Sequence, residues 1–438
     1  SGTFTFVRAL EDYGYSPQLT AAQIGQTWLN YLVENKTILS WAGLGCSTEH
    51  TAYLRLKRGI PAPQSGSIEL NGRIVAEQIG SQIFIDGWAM LAPGNPLLAA
   101  ELAGKAASVS HDGEAIYAAQ VLAAMEAQAF VESDIERLLD VGLAFAPPAS
   151  SIHRMIRDLR ELRAREPDWY IARQFVVDHY GYDKYPGGCH IVPNQALIVL
   201  GLLYGDDDFQ KSLMIANTCG WDTDCNSGNL GCLLGIKNGL GGIDKSPVDW
   251  RGPVADRLYL PTADGGRAIT DAVRETYHLV SSAYRLAGQA PPPSPKHGAL
   301  FHFELPGSVQ GFLAEGSAEG SAEGSAEGSA EAEITNVEGH SRLGKRSLAI
   351  RVAAADGREP ACIATNTFIP PDAINMPGYG LLASPTLYPG QMVKVEVEAD
   401  GSNAQPQDVQ LYLNIFGPSD MPQRVEGPVV QVRPGERE

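Results

Sequence analysis

The chain has 438 residues, with 33 Lys or Arg against 51 Asp or Glu, so its formal net charge is −18. The length suits about two to three domains, and a hydrophobic fraction of 44% supports a sizeable core. The acidic balance argues against binding nucleic acid or an anionic membrane, since both require a basic surface. The sequence contains no apolar run of membrane-spanning length, and its six scattered cysteines favour reduced thiols, so we expect a cytoplasmic protein.

Helical periodicity dominates the first part of the chain. Thr20 is a plausible N-cap for one of these helices, and two prolines after residue 146 mark a firm stop. The predicted helices cover residues 3–13, 19–37, 49–58, 75–91, 95–109, 113–131, 133–144, 149–164, 167–180, 196–204, 209–219 and 267–286. We therefore predict an all-α domain over residues 1–289, followed by a Pro-rich connector at 290–298.

The pattern changes to a period of two from about residue 299. Strands are predicted over residues 301–305, 347–352, 392–398, 409–415 and 429–432. Several short strands divided by turn residues predict an antiparallel β-sandwich over residues 299–438. Within it, a Gly-Ser-Ala-Glu repeat cannot form a core, so we predict a disordered acidic loop at 315–333. The repeat is either a natural expansion or an engineered linker.

The stretch Gly220–Gly228 contains Asp-Thr-Asp-Cys-Asn between two apolar, helix-like runs. Asp222 and Asp224 are two residues apart, so in an extended turn their side chains point the same way. Carboxylates near a core are costly unless they are paired or bound to a cation. We therefore predict a divalent metal site held by oxygens. In the alternative interpretation, one Asp caps the following helix and the other is solvated.

This motif and the helices around it, over about residues 3–245, resemble the ADP-ribosylglycohydrolase family. The resemblance implies an orthogonal bundle of helices and a pair of Mg²⁺ or Mn²⁺ ions bound by Asp222 and Asp224. Cys225 stands where the family commonly has a Thr ligand, so it either packs or favours a softer ion such as Mn²⁺. Thr3 matches the Thr of an acidic N-terminal metal motif whose acids are not seen before it. Either a leading segment precedes this chain, which would also hide any secretion signal, or the acids are lost.

The resemblance further implies hydrolysis of an ADP-ribosyl or related ribosyl or glycosyl linkage at C1. Asp86 is embedded in apolar residues, where a carboxyl has a raised pKa, and we predict it as a catalytic cleft residue. The predicted substrate-binding residues are polar groups at helix starts and in glycine-rich loops: Glu49, His50, His111, Asp112, Asn194 and Asn226. Each also has a structural interpretation, as a helix cap, a connector residue or a paired acid.

Residues 344–351 and 387–395 resemble strand openings of carbohydrate-binding jelly rolls. This weaker resemblance implies a carbohydrate ligand for the C-terminal domain. Two functions of different classes therefore stay open from the sequence. The first is a metal-dependent glycosidase acting on a small or protein-linked ADP-ribose or riboside. The second is a catalytically inactive helical scaffold that carries a carbohydrate-binding sandwich.

Overall fold

The computed structural model of the chain describes residues 2–37, 39–260, 262–315, 332–352, 360–374, 385–417 and 421–438. Helices dominate up to residue 286. They are α1 (Gly2–Phe6), α2 (Arg8–Asp12), α3 (Ala21–Tyr31), α4 (Thr48–Lys57), α5 (Ile68–Asn71), α6 (Arg73–Ala76), α7 (Gly80–Ile83), α8 (Asp86–Met90), α9 (Pro96–Ala107), α10 (Glu114–Ala129), α11 (Ile135–Leu143), α12 (Ser151–Arg163), α13 (Trp169–Tyr180), α14 (Ile191–Tyr204), α15 (Phe209–Thr218), α16 (Thr223–Asp244) and α17 (Ala272–Leu286).

The remaining elements are short. They are β1 (Arg257–Tyr259), β2 (Ile269–Asp271), β3 (Leu313–Ala314), β4 (Ala332–Glu338), β5 (Arg346–Val352), β6 (Ile363–Ala364), α18 (Pro371–Ile374), β7 (Gln407–Phe416) and β8 (Pro422–Val432). Among the described residues the strands form two-stranded antiparallel sheets, pairing β1 with β2, β3 with β6, β4 with β5 and β7 with β8.

Helices α10 and α14 form the centre of the helical domain. Every residue of α14 is buried, and α10 is buried on most sides. The alternating faces of α10 contribute to two hydrophobic clusters, one shared with α14 and α12 and the other with α8 and α9. Its many alanines allow neighbouring helices to approach closely, which is the packing expected of a well-filled core. None of the described helices is both long enough and apolar enough to cross a bilayer.

The longer helices follow the sequence periodicity closely, and the predicted cap is present. The Thr20 hydroxyl accepts the Gln23 N–H at 3.3 Å, and the Gln23 side chain accepts the Thr20 N–H at 2.9 Å, forming a capping box. The helical character predicted for this part of the chain is therefore confirmed. The helices are interrupted where backbone groups form hydrogen bonds outside the helix.

The single helix predicted over residues 75–91 was wrong, because α6, α7 and α8 share this region. The Ile79 N–H donates to the Cys189 carbonyl at 2.9 Å, and the Ile191 N–H donates to the Glu77 carbonyl at 3.0 Å. These long-range bonds take up backbone groups that a continuous helix would need. They also bring the segment before α14 against α7, next to the candidate site.

Two other predictions need correction. The region 1–289 is not entirely helical, since β1 and β2 pair before α17. The strand predicted at 301–305 is absent, because the His302 and Phe303 N–H groups both donate to the Gln310 side chain, at 2.8 and 2.7 Å. Residues 392–398 likewise form no strand beyond an isolated bridge from Glu398 to Arg437.

The C-terminal region contains small antiparallel sheets, and its first residues pack back onto the helical domain. The Asp256 carboxylate accepts hydrogen bonds from the Ser308 hydroxyl at 2.6 Å and from the N–H groups of Val309 and Gln310 at 3.0 Å. The sandwich stays a prediction. Most of the predicted acidic loop, residues 316–331, lies outside the described residues.

Candidate active site

The loop before α16 turns sharply, and its two carboxylates do not lie on one extended turn as predicted. Asp222 precedes α16, whereas Asp224 lies in the first turn of that helix, because the helix begins at Thr223. Gly220 and Trp221 have φ angles of 81° and 61°, a left-handed conformation that glycine adopts freely and tryptophan rarely does. Asp222 occupies the N-cap position of α16, yet its side chain makes no capping hydrogen bond. Capping therefore does not account for the Asp222 carboxylate.

Asp222, Asp224 and Cys225 form a compact cluster. One ligand atom from each residue lies within 4.8 Å of the others. Asp222 and Cys225 are half-buried and Asp224 is exposed, so the cluster opens to solvent on one side. Burial, followed by the neighbouring Asp224 carboxyl, raises the pKa of Asp222 to about 6. This mutual repulsion of carboxylates is what a bound cation relieves.

Two asparagines hold the loop against α14. The Asn194 side-chain oxygen accepts the Asp222 N–H at 3.2 Å and the Asn226 Nδ2 at 3.1 Å, while Asn194 Nδ2 donates to the Tyr182 hydroxyl at 2.8 Å. Asn226 is fully buried, and its Oδ1 has no hydrogen-bond partner among the described residues. An orphaned buried oxygen beside two carboxylates fits a site for a hard divalent cation such as Mg²⁺ or Mn²⁺.

A second thiol borders the cluster and was not singled out from the sequence. The thiols of Cys225 and Cys189 both lie close enough to the Asp222 carboxyl to affect its pKa. Burial and the charge of Asp222 raise the pKa of Cys189 to about 12, and burial strongly raises that of Cys225. Both thiols are therefore protonated at neutral pH without a metal. The glycines before Cys189 were the only local signal that this segment approaches a functional loop.

Glu49 approaches Asp222 from α4, far away in sequence. It lies in the first turn of α4, where the Ser47 hydroxyl donates to its Oε2 at 3.3 Å. Its side chain is 18% exposed. Burial raises the pKa of Glu49, and the negative charge of Asp222 raises it further. Glu49 is therefore a carboxyl with raised proton affinity that lies within range of the charge of Asp222 and is still partly exposed.

His111 packs beside Glu49 as a neutral ring. Its Nε2 accepts the Ser81 N–H at 3.2 Å, so the ring proton lies on Nδ1, which donates to the Ser110 hydroxyl at 2.7 Å. Burial lowers the pKa of His111 to about 3. His111 Nε2 lies 3.8 Å from Glu49 Oε1, but a neutral ring forms no ion pair there. With both nitrogens occupied, His111 shapes the Glu49 pocket, and its predicted role in substrate binding stays a prediction.

Two other predicted substrate residues are held by the fold. His50 Nδ1 accepts the Gly43 N–H at 3.1 Å, and its ring is buried. The Asp112 carboxylate accepts the N–H groups of Ile68 at 3.0 Å and Gly113 at 2.7 Å. These contacts fit the structural interpretation given for such residues, and their predicted contact with substrate stays a prediction.

Asp86 and Thr3 are held beside the candidate site by other partners. Asp86 Oδ1 accepts Asn229 Nδ2 at 2.7 Å. Asn229 follows Asp222 by seven residues, or about 10 Å along α16 at about 1.5 Å per residue. The Thr3 hydroxyl donates to the Ile83 carbonyl at 3.3 Å, and Thr3 does not belong to the Asp222 cluster described above. The predicted roles of Asp86 in catalysis and of Thr3 in metal binding stay predictions.

Comparison with protein families identifies the helical part of the chain. The family model described as ADP-ribosylglycohydrolase matches residues 1–286. The chain belongs to the ADP-ribosylglycohydrolase family. The match ends at the last residue of α17, so the ADP-ribosylglycohydrolase region takes in the whole helical domain and leaves the C-terminal sheets outside. No curated protein matches the chain.

Membership of the ADP-ribosylglycohydrolase family settles the class of activity at a coarse level. The family hydrolyses ADP-ribose linkages in ADP-ribosylated substrates and generally uses Mg²⁺ or Mn²⁺. The described acidic clusters of this chain are candidates for such ions. The carbohydrate ligand predicted for the C-terminal region has no support from the family or from the described residues.

Gly80→Ala is expected to impair catalysis in this ADP-ribosylglycohydrolase without unfolding it. A Cβ at Gly80 would lie 1.6 Å from Glu49 Oε1, so the flexible end of Glu49 has to move. We expect hydrolysis to fall at least about tenfold while the melting temperature changes little, because the Glu49 carboxyl loses its position near Asp222. Gly241→Ala, at a helical glycine with open space around it, is the control. Equal activity of the two variants would contradict the placement of Glu49.

Titration of Asp86 is expected to make the metal-free protein less stable as the pH rises from about 4 to about 7. Burial raises the pKa of Asp86 from 3.8 to about 7, so the folded state keeps a proton that the unfolded state releases. The unfolding free energy therefore falls with pH, by at most about 4 kcal/mol for this group. Melting temperatures measured in chelator across this range check the slope, which Asp86→Asn is expected to flatten. If the melting temperature of the variant depends on pH as strongly as that of the unmodified protein, a group other than Asp86 is responsible.

Proposed function

We propose that this chain is a metal-dependent hydrolase that cleaves the C1 linkage of an ADP-ribosyl or closely related ribosyl or glycosyl substrate. The observation that supports this most is the convergence of Asp222, Asp224 and Cys225 at the start of α16, with the Glu49 carboxyl near enough for the charge of Asp222 to raise its pKa. Glu49 lies on α4 and Asp222 at the start of α16, more than 150 residues apart in the chain. Only the tertiary fold brings them near each other.

Asp222 and Asp224 are the proposed metal ligands, with Cys225, Thr3 and Asn226 as further candidates, and two ions are proposed on the basis of the resemblance. A divalent ion bound here would neutralise the carboxylates and activate a water at neutral pH. Asn194 fixes the loop that carries the ligands through its bonds to the Asp222 backbone and to Asn226. The chain thus supplies a rigid support for its metal ligands, as productive sites require.

Glu49 is the proposed proton-transfer group. A glycosidic C1 bond breaks through an oxocarbenium-like state, in which the leaving group needs a proton and the attacking water must lose one. A carboxyl with a raised pKa holds a proton at moderate pH and releases it readily, which suits both tasks. Asp86 was predicted for this role from the sequence. Because it bonds to Asn229 deeper along α16, we propose that Asp86 acts on the site indirectly, by positioning that helix.

The C-terminal region has an accessory place in this proposal. We propose that its small antiparallel sheets belong to a β-sandwich. The hydrolytic site itself is built entirely from residues of the helical domain.

Hydrolysis by the full-length chain tests the proposal directly. The purified protein, with Mg²⁺ or Mn²⁺, is incubated with an N-linked and an O-linked ADP-ribosyl amino acid and with simple glycosides, and released ADP-ribose or sugar is separated by chromatography. We expect metal-dependent release from at least one ADP-ribosyl substrate. Metal binding without release from any substrate would instead favour the inactive scaffold.

A further inference from the structure

A second group of potential ligands lies deeper in the helical domain. Asp86 on α8, Glu126 on α10 and Cys232 on α16 each place one ligand atom within 4.8 Å of the others. Cys232 follows Cys225 by seven residues, or about 10 Å along α16 at about 1.5 Å per residue, so this group is separate from the Asp222 cluster. None of its members lies next to another in sequence, and three helices are needed to assemble it.

Glu126 makes this group unusual among the buried polar residues. Its side chain is completely buried, and neither of its carboxyl oxygens has a hydrogen-bond partner at ordinary geometry. It projects from an alanine-rich helix, where an unpaired carboxylate costs several kcal/mol unless it gains a proton or a cation. The groups that face it are the carboxyl of Asp86 and the thiol of Cys232. Two buried carboxylates that face each other, Asp86 and Glu126, repel unless a cation lies between them. In the alternative, the two carboxyl groups share a proton.

The residues of the group differ in burial, and Asp86 is held in place by neighbours. Asp86 and Cys232 are partly exposed as residues, whereas Glu126 is completely buried. Asn229 donates to Asp86 at 2.7 Å and is itself held by the Gln82 side chain at 3.2 Å and the Gln82 carbonyl at 3.1 Å. Such outer contacts orient ligand carboxylates in protein metal sites.

We propose that Asp86, Glu126 and Cys232 bind a single thiophilic divalent ion, of which Zn²⁺ is the best fit, as a structural site separate from the Asp222 cluster. Two carboxylate oxygens and one thiolate suit Zn²⁺, whereas Mg²⁺ avoids sulfur. In a tetrahedral site, zinc–oxygen and zinc–sulfur bonds of about 2.0–2.3 Å place the ligand atoms about 3.3–3.8 Å apart. The three ligand atoms lie within 4.8 Å of one another, so small side-chain movements would close them around an ion. A water would complete the tetrahedral coordination. Binding releases the thiol proton and any carboxyl proton to solvent.

This site would join α8, α10 and α16 at the centre of the domain. It does not depend on the proposed hydrolysis, and it assigns Asp86 to the ion and not to substrate. The ion would stabilise the folded chain, because the unfolded chain cannot bring the three ligands together.

Cobalt provides a probe that separates this site, whose one thiol is Cys232, from the Asp222 cluster, whose thiols are Cys225 and the bordering Cys189. The full-length protein is stripped with chelator and titrated with Co²⁺, and the sulfur-to-cobalt charge-transfer absorption is recorded. We expect the band in the unmodified protein and in Cys225→Ser, and its loss in Cys232→Ser. A missing band in the unmodified protein, or a band of full strength in Cys232→Ser, would overturn the proposal, because the absorption would then come from no thiol or from Cys225 or Cys189.

Zinc content and melting give a second readout. We expect Zn²⁺ to raise the melting temperature of the unmodified protein and to leave Glu126→Gln unchanged, with one bound zinc fewer per chain in the variant. Because Glu126→Gln removes a buried acid, the metal-free variant is expected to melt no lower than the unmodified protein, which excludes simple unfolding as the cause. If a proton is shared between the acids instead, Zn²⁺ changes the melting of neither protein, and the proposal fails.

Discussion

Replacing Asp222 by Asn is expected to remove the stabilisation of the chain by Mg²⁺ or Mn²⁺ and to lower hydrolysis by about 10³-fold. The variant keeps the size and the backbone bond of Asp222 to Asn194 but lacks the charge that a cation needs. The expected loss equals about 4 kcal/mol of transition-state stabilisation, which is within the range supplied by a bound divalent ion. Melting curves recorded against metal concentration and rates of ADP-ribose release measure the two effects.

Asp140→Asn is a matched control for this change. Asp140 is exposed on α11 and pairs with Arg160 at 2.7 Å, and exposed ion pairs contribute about 0–1 kcal/mol. Its metal response and activity should equal those of the unmodified chain. If Asp222→Asn keeps the full metal-dependent shift, the cation binds elsewhere and the proposed centre is wrong.

Replacing Glu49 by Gln is expected to lower the rate of hydrolysis by about 10²–10⁴-fold while the metal-dependent shift in melting is retained. Gln has the shape of Glu49 and can still contact Ser47, but it neither donates an acidic proton nor accepts one from water. The two measurements separate proton transfer from metal binding. They also separate Glu49 from Asp222, whose replacement is expected to remove both properties.

Glu101→Gln serves as the control for the Glu49 variant, since Glu101 is exposed and paired with Lys105 on the surface of α9. Its rate should be unchanged. A Glu49→Gln variant that hydrolyses ADP-ribosyl substrates at the normal rate would move the proton-transfer role to another carboxyl. Asp86, predicted from the sequence, would then be the next residue to replace.

The cluster at the start of α16 was predictable because its members are neighbours in the chain. Asp222, Asp224 and Cys225 lie within four residues, so a turn of almost any kind keeps them together. Their chemistry limits what they bind, and the structure adds that the Asp222 side chain does not cap the helix. The residues that hold this cluster in place were harder to predict. Asn194 and Asn226 were predicted from the sequence as substrate-binding residues. The hydrogen bonds of Asn194 to Asn226 and to the Asp222 backbone appear only in the folded chain.

By itself, the sequence determined the long helices, the Thr20 cap and the position of the Asp222, Asp224 and Cys225 cluster. Helical periodicity, capping and the spacing of these three side chains all act over a few residues. Only the tertiary structure decided that α6, α7 and α8 are separate, because their backbone groups bond to the segment before α14. It alone placed Glu49 beside Asp222 and gathered Asp86, Glu126 and Cys232. Such pairs are far apart in the chain, and no local pattern records which buried side chains meet when helices pack.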